Sequence, residues 1–257
     1  MSDLDLTPRP GSAPVTRQVL AQARMETRLM LRNGEQLLLA VVIPLLLLVG
    51  GVLAIERVGL TFDHSPVDVL TPGVLALAVM STAFTSVAIA TGFERRYGLI
   101  KRLGASPLPR YGLLLGKVGA VLVVELLQVA LIALVGWAMD WQPAGGAAVP
   151  WLLLSLVLGT AAFVSWGLFL AGTLRAEATL AAANLVYLLL MAGGAVVIPA
   201  ASYGAFGTAA AYLPSGALGE AARAALLDGV ADPVSYLVLL GWTTLGALAT
   251  ARTFRWE

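Results

Sequence analysis

Six long apolar stretches decide what this chain can fold into. A helix crossing a bilayer takes roughly 20 predominantly apolar residues at 1.5 Å rise each. Residues 37–55, 69–93, 113–139, 149–174 and 178–198 meet that length, and 234–251 is shorter but uncharged. Only 12% of the 257 residues are charged and 59% are hydrophobic. That is about half the charge of an ordinary soluble domain, too little to coat a water-facing surface. Lipid is the natural solvent, and within lipid a span must satisfy its own backbone groups, as a helix does. The expected fold is an all-α integral membrane protein with six transmembrane helices. Pro44 and Pro72 fall within or at the start of spans, where neighbouring helices accommodate them.

One further run, 199–219, is uncharged but interrupted by Pro199, Gly204, Gly207, Pro214 and Gly216. It reads as a seventh span or as a re-entrant hairpin, and charge placement separates the two. With six spans and an inner amino terminus, Arg9, Arg17, Arg24, Arg28, Arg32, Arg95, Arg96, Lys101, Arg102, Arg110, Lys117, Arg175, Arg252 and Arg255 lie inside. That is fourteen of the sixteen basic residues, with Arg57 and Arg223 outside. This is the bias insertion favours; a seventh span would move Arg252 and Arg255 to the wrong side. The expected order is therefore a flexible cytoplasmic tail (1–14), an interfacial helix (15–33), a six-helix domain (37–251) with a membrane-dipping outer segment (199–230), and a cytoplasmic end (252–257). The first apolar run begins at Leu37 and is long enough to stay in the membrane, so no cleavable signal peptide is expected. Both termini are expected in the cytoplasm. Spans rich in Ala, Gly and Leu, with only two Lys in the chain, point to a GC-rich bacterial genome.

Residues 15–32 read VTRQVLAQARMETRLMLR. At 100° per residue, Arg17, Arg24, Arg28 and Arg32 gather within about 80°. Val15, Val19, Ala23 and Met30 form the opposing stripe, interrupted by Glu26. A helix lying in the interface, arginines toward lipid phosphates or a partner, fits this pattern.

The segment ERRYGLIKRLGASPLPR (94–110) gathers five of the sixteen basic residues. Topology needs fewer, and the amino-terminal arginines already supply them. Tyr97, Ile100 and Leu103 recur at helical spacing, with Arg95, Lys101 and Arg102 on other faces. The spacing predicts a short amphipathic helix over 94–104, ended by Gly104 and the Pro107/Pro109 pair. Such a helix fits a groove on another protein.

In order along the chain, Glu94, Arg95, Gly98, Arg102, Leu103, Ser106, Pro107, Leu108, Gly116 and Lys117 resemble the pattern of ABC-2 type permeases, most closely the daunorubicin-type drug and lipid exporters. Residues 212–229, YLPSGALGEAARAALLDG, resemble the stretch before that family's last helix. The chain departs from the pattern at Leu99–Ile100, where the family more often has Thr and a polar residue. The resemblance implies that Glu94, Arg95, Arg96, Tyr97, Gly98, Ile100, Lys101, Arg102 and Leu103 form a coupling helix seated on a separate ATPase. It also implies two ABC ATPase subunits, a second permease copy or relative, and export of an amphipathic or lipid-like cargo. The same architecture serves polysaccharide export and haem-related cytochrome assembly, and a non-transporting scaffold is a further alternative.

The motor is not in this chain. A P-loop needs G-x-x-x-x-G-K-[ST]. The nearest approach, GLLLGKV at 112–118, is a residue short and lacks the hydroxyl. Gly112 and Gly116 read instead as small-residue packing, with Lys117 reaching to the inner interface. ATP and magnesium would be bound by the partner, and no cofactor is expected here. With no Cys and one His, His64, thiolate and histidine metal clusters are excluded. No proteolytic or G-x-S-x-G motif is present, so no enzyme is expected. Nor is a nucleic-acid partner.

Within the spans, Glu125 and Gln128 lie one turn apart on one side of the third. Either they line the pathway or dimer seam, or they make an internal hydrogen bond, with Asn184 in the fifth span as a partner. Ser81, Thr82, Thr85, Ser86 and Thr91 in the second span read as helix–helix hydrogen bonding or a wetted pathway. Trp137, Trp141 and Trp151 read as an outer aromatic belt. Tyr203, Phe206, Tyr212 and Pro214 are candidates for an outer lid.

Overall fold

The computed structural model describes residues 11–59 and 64–254, and every regular element among them is helical. The expected tail (1–14) therefore falls mostly outside the described residues, as do Arg9 and Arg255. Among the described residues, six helices are long and apolar enough to cross a membrane: Ala40–Val58, Pro66–Arg96, Tyr111–Ala138, Ala148–Thr173, Ala176–Gly193 and Pro233–Thr253. The elements are α1 (Val15–Arg32), α2 (Gly34–Val58), α3 (Pro66–Met80), α4 (Val87–Arg96), α5 (Leu99–Gly104), α6 (Arg110–Ala138), α7 (Ala148–Thr173), α8 (Ala176–Gly193), α9 (Gly207–Ala211), α10 (Pro214–Arg223) and α11 (Pro233–Thr253).

The second span forms the core. A π-helical turn, Ser81–Ser86, joins α3 to α4 without breaking the rod. Such turns insert one residue into the i→i−4 ladder and shift the register of the faces beyond them. Here Phe84 packs edge-on against Phe163 of α7 at 6.3 Å. Gly167 lets α7 approach so closely that an added methyl would lie 2.9 Å from the Phe84 carbonyl oxygen. α7 then packs on α4, α10 and α11, while α2 lies on α3 and α8 on α4. The outward faces of α2, α6, α8 and α11 expose Leu46, Leu53, Leu126, Leu134, Leu185, Leu189, Leu237 and Leu245. Apolar surface this extensive suits lipid and not water.

α1 lies along α6, with Gly116 making room for the Gln22 side chain and Gly119 for Ala23. Gly112 meets only its own upstream turn, at Leu108 and Pro109, so the packing pair is Gly116 and Gly119 rather than Gly112 and Gly116. Arg17, Arg24, Arg28 and Arg32 are exposed, and the buried face is centred on Gln22 and Glu26.

Two helix bounds differ from expectation. The segment 94–104 is not one helix: Glu94, Arg95 and Arg96 complete α4, Gly98 turns left-handed (φ 67°), and α5 begins at Leu99. Glycine tolerates that conformation where a side chain would strain it. The fifth span ends at Gly193, not Ile198, and the chain then bends through Ala195, whose φ is 53°. The segment before α11 folds into a 3-10 turn (Ala200–Phe206), α9, α10 and a π turn (Ala224–Asp228), with α10 almost wholly buried against α3, α7 and α11. Trp141 is buried, unlike the exposed Trp137, so it belongs to the core rather than to an aromatic belt.

Candidate functional site

At the basic end of the bundle, α4 and α5 form a tight hairpin. The Tyr97 amide donates to Phe93 O at 2.9 Å and the Gly98 amide to Arg95 O at 3.1 Å, closing α4. The Phe93 and Tyr97 rings stack at 6.2 Å, and the Arg96 guanidinium lies 5.9 Å from the Tyr97 ring centre. After α5, Ser106 Oγ donates to Leu103 O at 2.6 Å and accepts from the Leu108 amide at 3.3 Å. Pro109 then precedes α6.

Splitting the segment divides its side chains. Ile100 is buried and Leu103 half-buried, both facing the bundle, whereas Tyr97, Leu99, Lys101 and Arg102 are exposed. Tyr97, Ile100 and Leu103 therefore do not share one docking ridge. Tyr97 is 69% exposed and Ile100 is 7% exposed. Arg95 also turns inward: its guanidinium donates to the carbonyls of Ala171 (2.5 Å) and Leu174 (3.0 Å), closing the carboxyl end of α7. Arg96 pairs with Glu177 of α8.

Beneath Ile100 and Leu103 lies an ionic triad that pattern reading misses. Lys117 Nζ of α6 is 2.7 Å from Glu94 Oε1 of α4 and 3.3 Å from Glu26 Oε1 of α1. Gln22 Nε2 donates to the same Glu26 oxygen at 2.9 Å. The Lys117, Glu94 and Glu26 side chains are only 14%, 15% and 10% exposed. Lys117 is therefore held between carboxylates and does not reach out to the interface. A cavity of about 30 Å³ separates the triad from α5, lined also by Thr91, Leu113, Leu114, Leu168 and Phe254. The signal was present in α1, where Glu26 shares a face with Gln22 and Met30, but its partner lies 91 residues away.

Deeper in the bundle, Glu125 and Gln128 are both buried, and each bonds within this chain. Glu125 Oε2 accepts from Thr160 Oγ1 of α7 at 2.6 Å. Gln128 accepts from Thr82 Oγ1 at 2.9 Å and donates to Ala40 O of α2 at 2.9 Å. Asn184 does not join them: it lies on the exposed face of α8, while the Glu125 carboxyl meets Thr160 instead. Thr82 serves the helix–helix bonding expected of that polar run.

The segment between α8 and α11 is pinned by Arg223 and Glu220, a pairing that the sequence did not reveal. Arg223, 4% exposed, donates to the carbonyls of Ala195 (3.0 Å), Val196 (3.2 Å) and Val197 (3.4 Å) and to Glu220 Oε1 (3.0 Å). Glu220 Oε1 also accepts from the Ala200 amide at 2.8 Å. This clamp satisfies the non-helical backbone that follows α8, as buried irregular backbone requires. Tyr203 Oη donates to Ala192 O at 3.1 Å, and Trp242 Nε1 donates to Tyr212 O at 2.9 Å. Phe206 and Tyr212 are exposed, whereas Pro214 is buried as the first residue of α10. Among the described residues no three His, Asp or Glu side chains gather to hold a metal ion.

The family model described as ABC-2 type transporter matches residues 17–227, from the first turn of α1 into the π turn after α10. No curated protein matches the sequence.

Proposed function

Because this chain belongs to the ABC-2 type transporter family, we propose that it is the permease subunit of an ATP-driven exporter whose ATPase is a separate polypeptide. The observation that carries this reading is the α4–α5 hairpin. Its outward side chains, Tyr97, Leu99, Lys101 and Arg102, are a cation-flanked apolar surface suited to a groove on a partner. Its inward side chains, Ile100 and Leu103, rest over the Glu94–Lys117–Glu26 triad. A push on α5 from the ATPase reaches α4, α6 and α1 together, because one lysine ties all three.

In this reading the docked face is Tyr97, Leu99, Lys101 and Arg102, with Arg96 at its edge. Glu94, Arg95, Gly98, Ile100 and Leu103 position it. The chain is a multi-pass membrane protein, set in a bacterial plasma membrane with both termini cytoplasmic. Two permeases, this chain with a second copy or a relative, pair with two ATPases. Export of an amphipathic or lipid-like cargo passes between the permeases and beneath the outer segment bearing Tyr203, Phe206 and Tyr212. Glu125 and Gln128 hold the spans together: Glu125 Oε2 accepts from Thr160 and Gln128 bonds Thr82 and Ala40, while the buried Glu125 Oε1 has no hydrogen-bond partner among the described residues.

Purification tests it. An ABC ATPase encoded beside this chain should co-elute with it, and Tyr97→Asp, which places a carboxylate on the exposed face, should release the ATPase without unfolding the permease. Retention of the ATPase by Tyr97→Asp together with Arg102→Glu would contradict the docking surface.

A further inference from the structure

A cleft of about 450 Å³ opens between the end of α4 and the start of α8, lined by Gly92, Arg95, Arg96, Arg175, Ala176 and Glu177. Three guanidinium groups meet one carboxylate there, a surplus of two positive charges. Arg95 is fixed in place by the Ala171 and Leu174 carbonyls, with donors left over. Arg96 holds Glu177, and Arg175 is exposed. Gly92 adds no side chain to the wall. Arg175 precedes α8 without a side-chain cap, so that helix's first amides also face an uncapped end. Beyond the cleft along α8, Leu180, Leu185, Leu188 and Leu189 are exposed, with Asn184 among them.

We propose that this cleft binds the phosphate head of an anionic phospholipid, with the acyl chains lying along the exposed leucines of α8. Guanidinium groups match phosphate oxygens in charge and in bidentate geometry. The neighbouring leucines supply the second half of the match. The arginines sit at the start of a helix whose exposed leucines already face lipid, a setting that suits a lipid headgroup better than an acidic protein surface. The cleft is also distinct from the outward face of α5, since neither Lys101 nor Arg102 lines it.

The test uses the full chain in detergent micelles, titrated with dioctanoyl phosphatidylglycerol, dioctanoyl phosphatidylcholine or inorganic phosphate, following the thermal midpoint by tryptophan fluorescence. A ligand of the native state raises that midpoint with concentration. Phosphatidylglycerol should raise it and phosphatidylcholine should not. At roughly fivefold per arginine, Arg96→Gln with Arg175→Gln should weaken the phosphatidylglycerol response about 25-fold. Lys101→Gln with Arg102→Gln, the same loss of charge on α5, should leave it unchanged. Glu177→Gln removes the competing carboxylate and frees Arg96, so it should tighten binding about fivefold; this arm holds even if the double arginine variant misfolds. Equal responses to the two lipids would overturn the proposal, and so would an equal response to inorganic phosphate. So would an arginine pair variant that keeps its phosphatidylglycerol response but loses the ATPase, which would mark the cleft as a protein-docking surface.

Discussion

Lys117 of α6 lies 2.7 Å from Glu94 of α4, at the point where the second span gives way to the α5 hairpin. The same ammonium is 3.3 Å from Glu26 of α1. One cation therefore joins α1 to both spans that flank the hairpin. In water such a pair contributes little, but breaking a buried one leaves a charge without compensation.

Lys117→Met should destabilise the protein by about 3–5 kcal/mol, because two largely buried carboxylates lose the cation they share. Combining it with Glu94→Gln and Glu26→Gln should recover much of that loss, since no unpaired charge remains. Chemical denaturation in detergent, followed by tryptophan fluorescence, measures both. A single variant as stable as the parent would contradict the triad as a structural tie.

Gln128 should matter more to stability than Glu125. Gln128→Leu removes a donor and an acceptor that bridge α6 to α2 and to the π turn, and should cost about 1–3 kcal/mol for the partners left unsatisfied. Glu125→Gln keeps an oxygen for the Thr160 hydroxyl and should leave both folding and export near the parent level. Transport assays in vesicles decide the second point. Loss of export in a well-folded Glu125→Gln variant would return this residue to the pathway.

Arg223→Leu should loosen the segment between α8 and α10 selectively. It strips donors from the Ala195, Val196 and Val197 carbonyls and leaves Glu220 without its cation. Hydrogen exchange of backbone amides over 194–201 should rise steeply, with a stability loss of about 3–5 kcal/mol. Unchanged exchange there would mean that the clamp does not hold the segment.

Phe206→Ala and Tyr212→Ala should separate a lid from a structural cap. Both side chains are exposed, so stability should change by less than about 0.5 kcal/mol. Export should fall if cargo passes them. Pro214 is unsuited to this test because it is buried at the start of α10.

The spans were legible because lipid leaves few options: an apolar run of the right length must be a helix, and its ends follow from charge. The fifth span ran short for a reason outside its own sequence. Residues 194–198 are as apolar as the helix before them, and their departure is stabilised by Arg223 some 27 residues later. Helical spacing likewise grouped Tyr97, Ile100 and Leu103, but Gly98 adopted a left-handed turn and split the group between exposed and core-facing sides. Glu26 looked like a flaw in an apolar stripe because its compensating lysine is distant in sequence. Asn184 was matched to Glu125 on polarity alone, while the rotation of α8 about its axis is set by tertiary packing and faces Asn184 outward.

The chain contains no cysteine, so single cysteines introduced at Tyr97 or Arg102 can be cross-linked without background in membranes that also contain the neighbouring ATPase. Both positions should give a covalent adduct with that ATPase, and a cysteine at Tyr212 should give none. Adduct formation at Tyr212 but not at Tyr97 or Arg102, or labelling of Tyr97 and Arg102 by an impermeant reagent added to the outside of intact cells, would contradict the account.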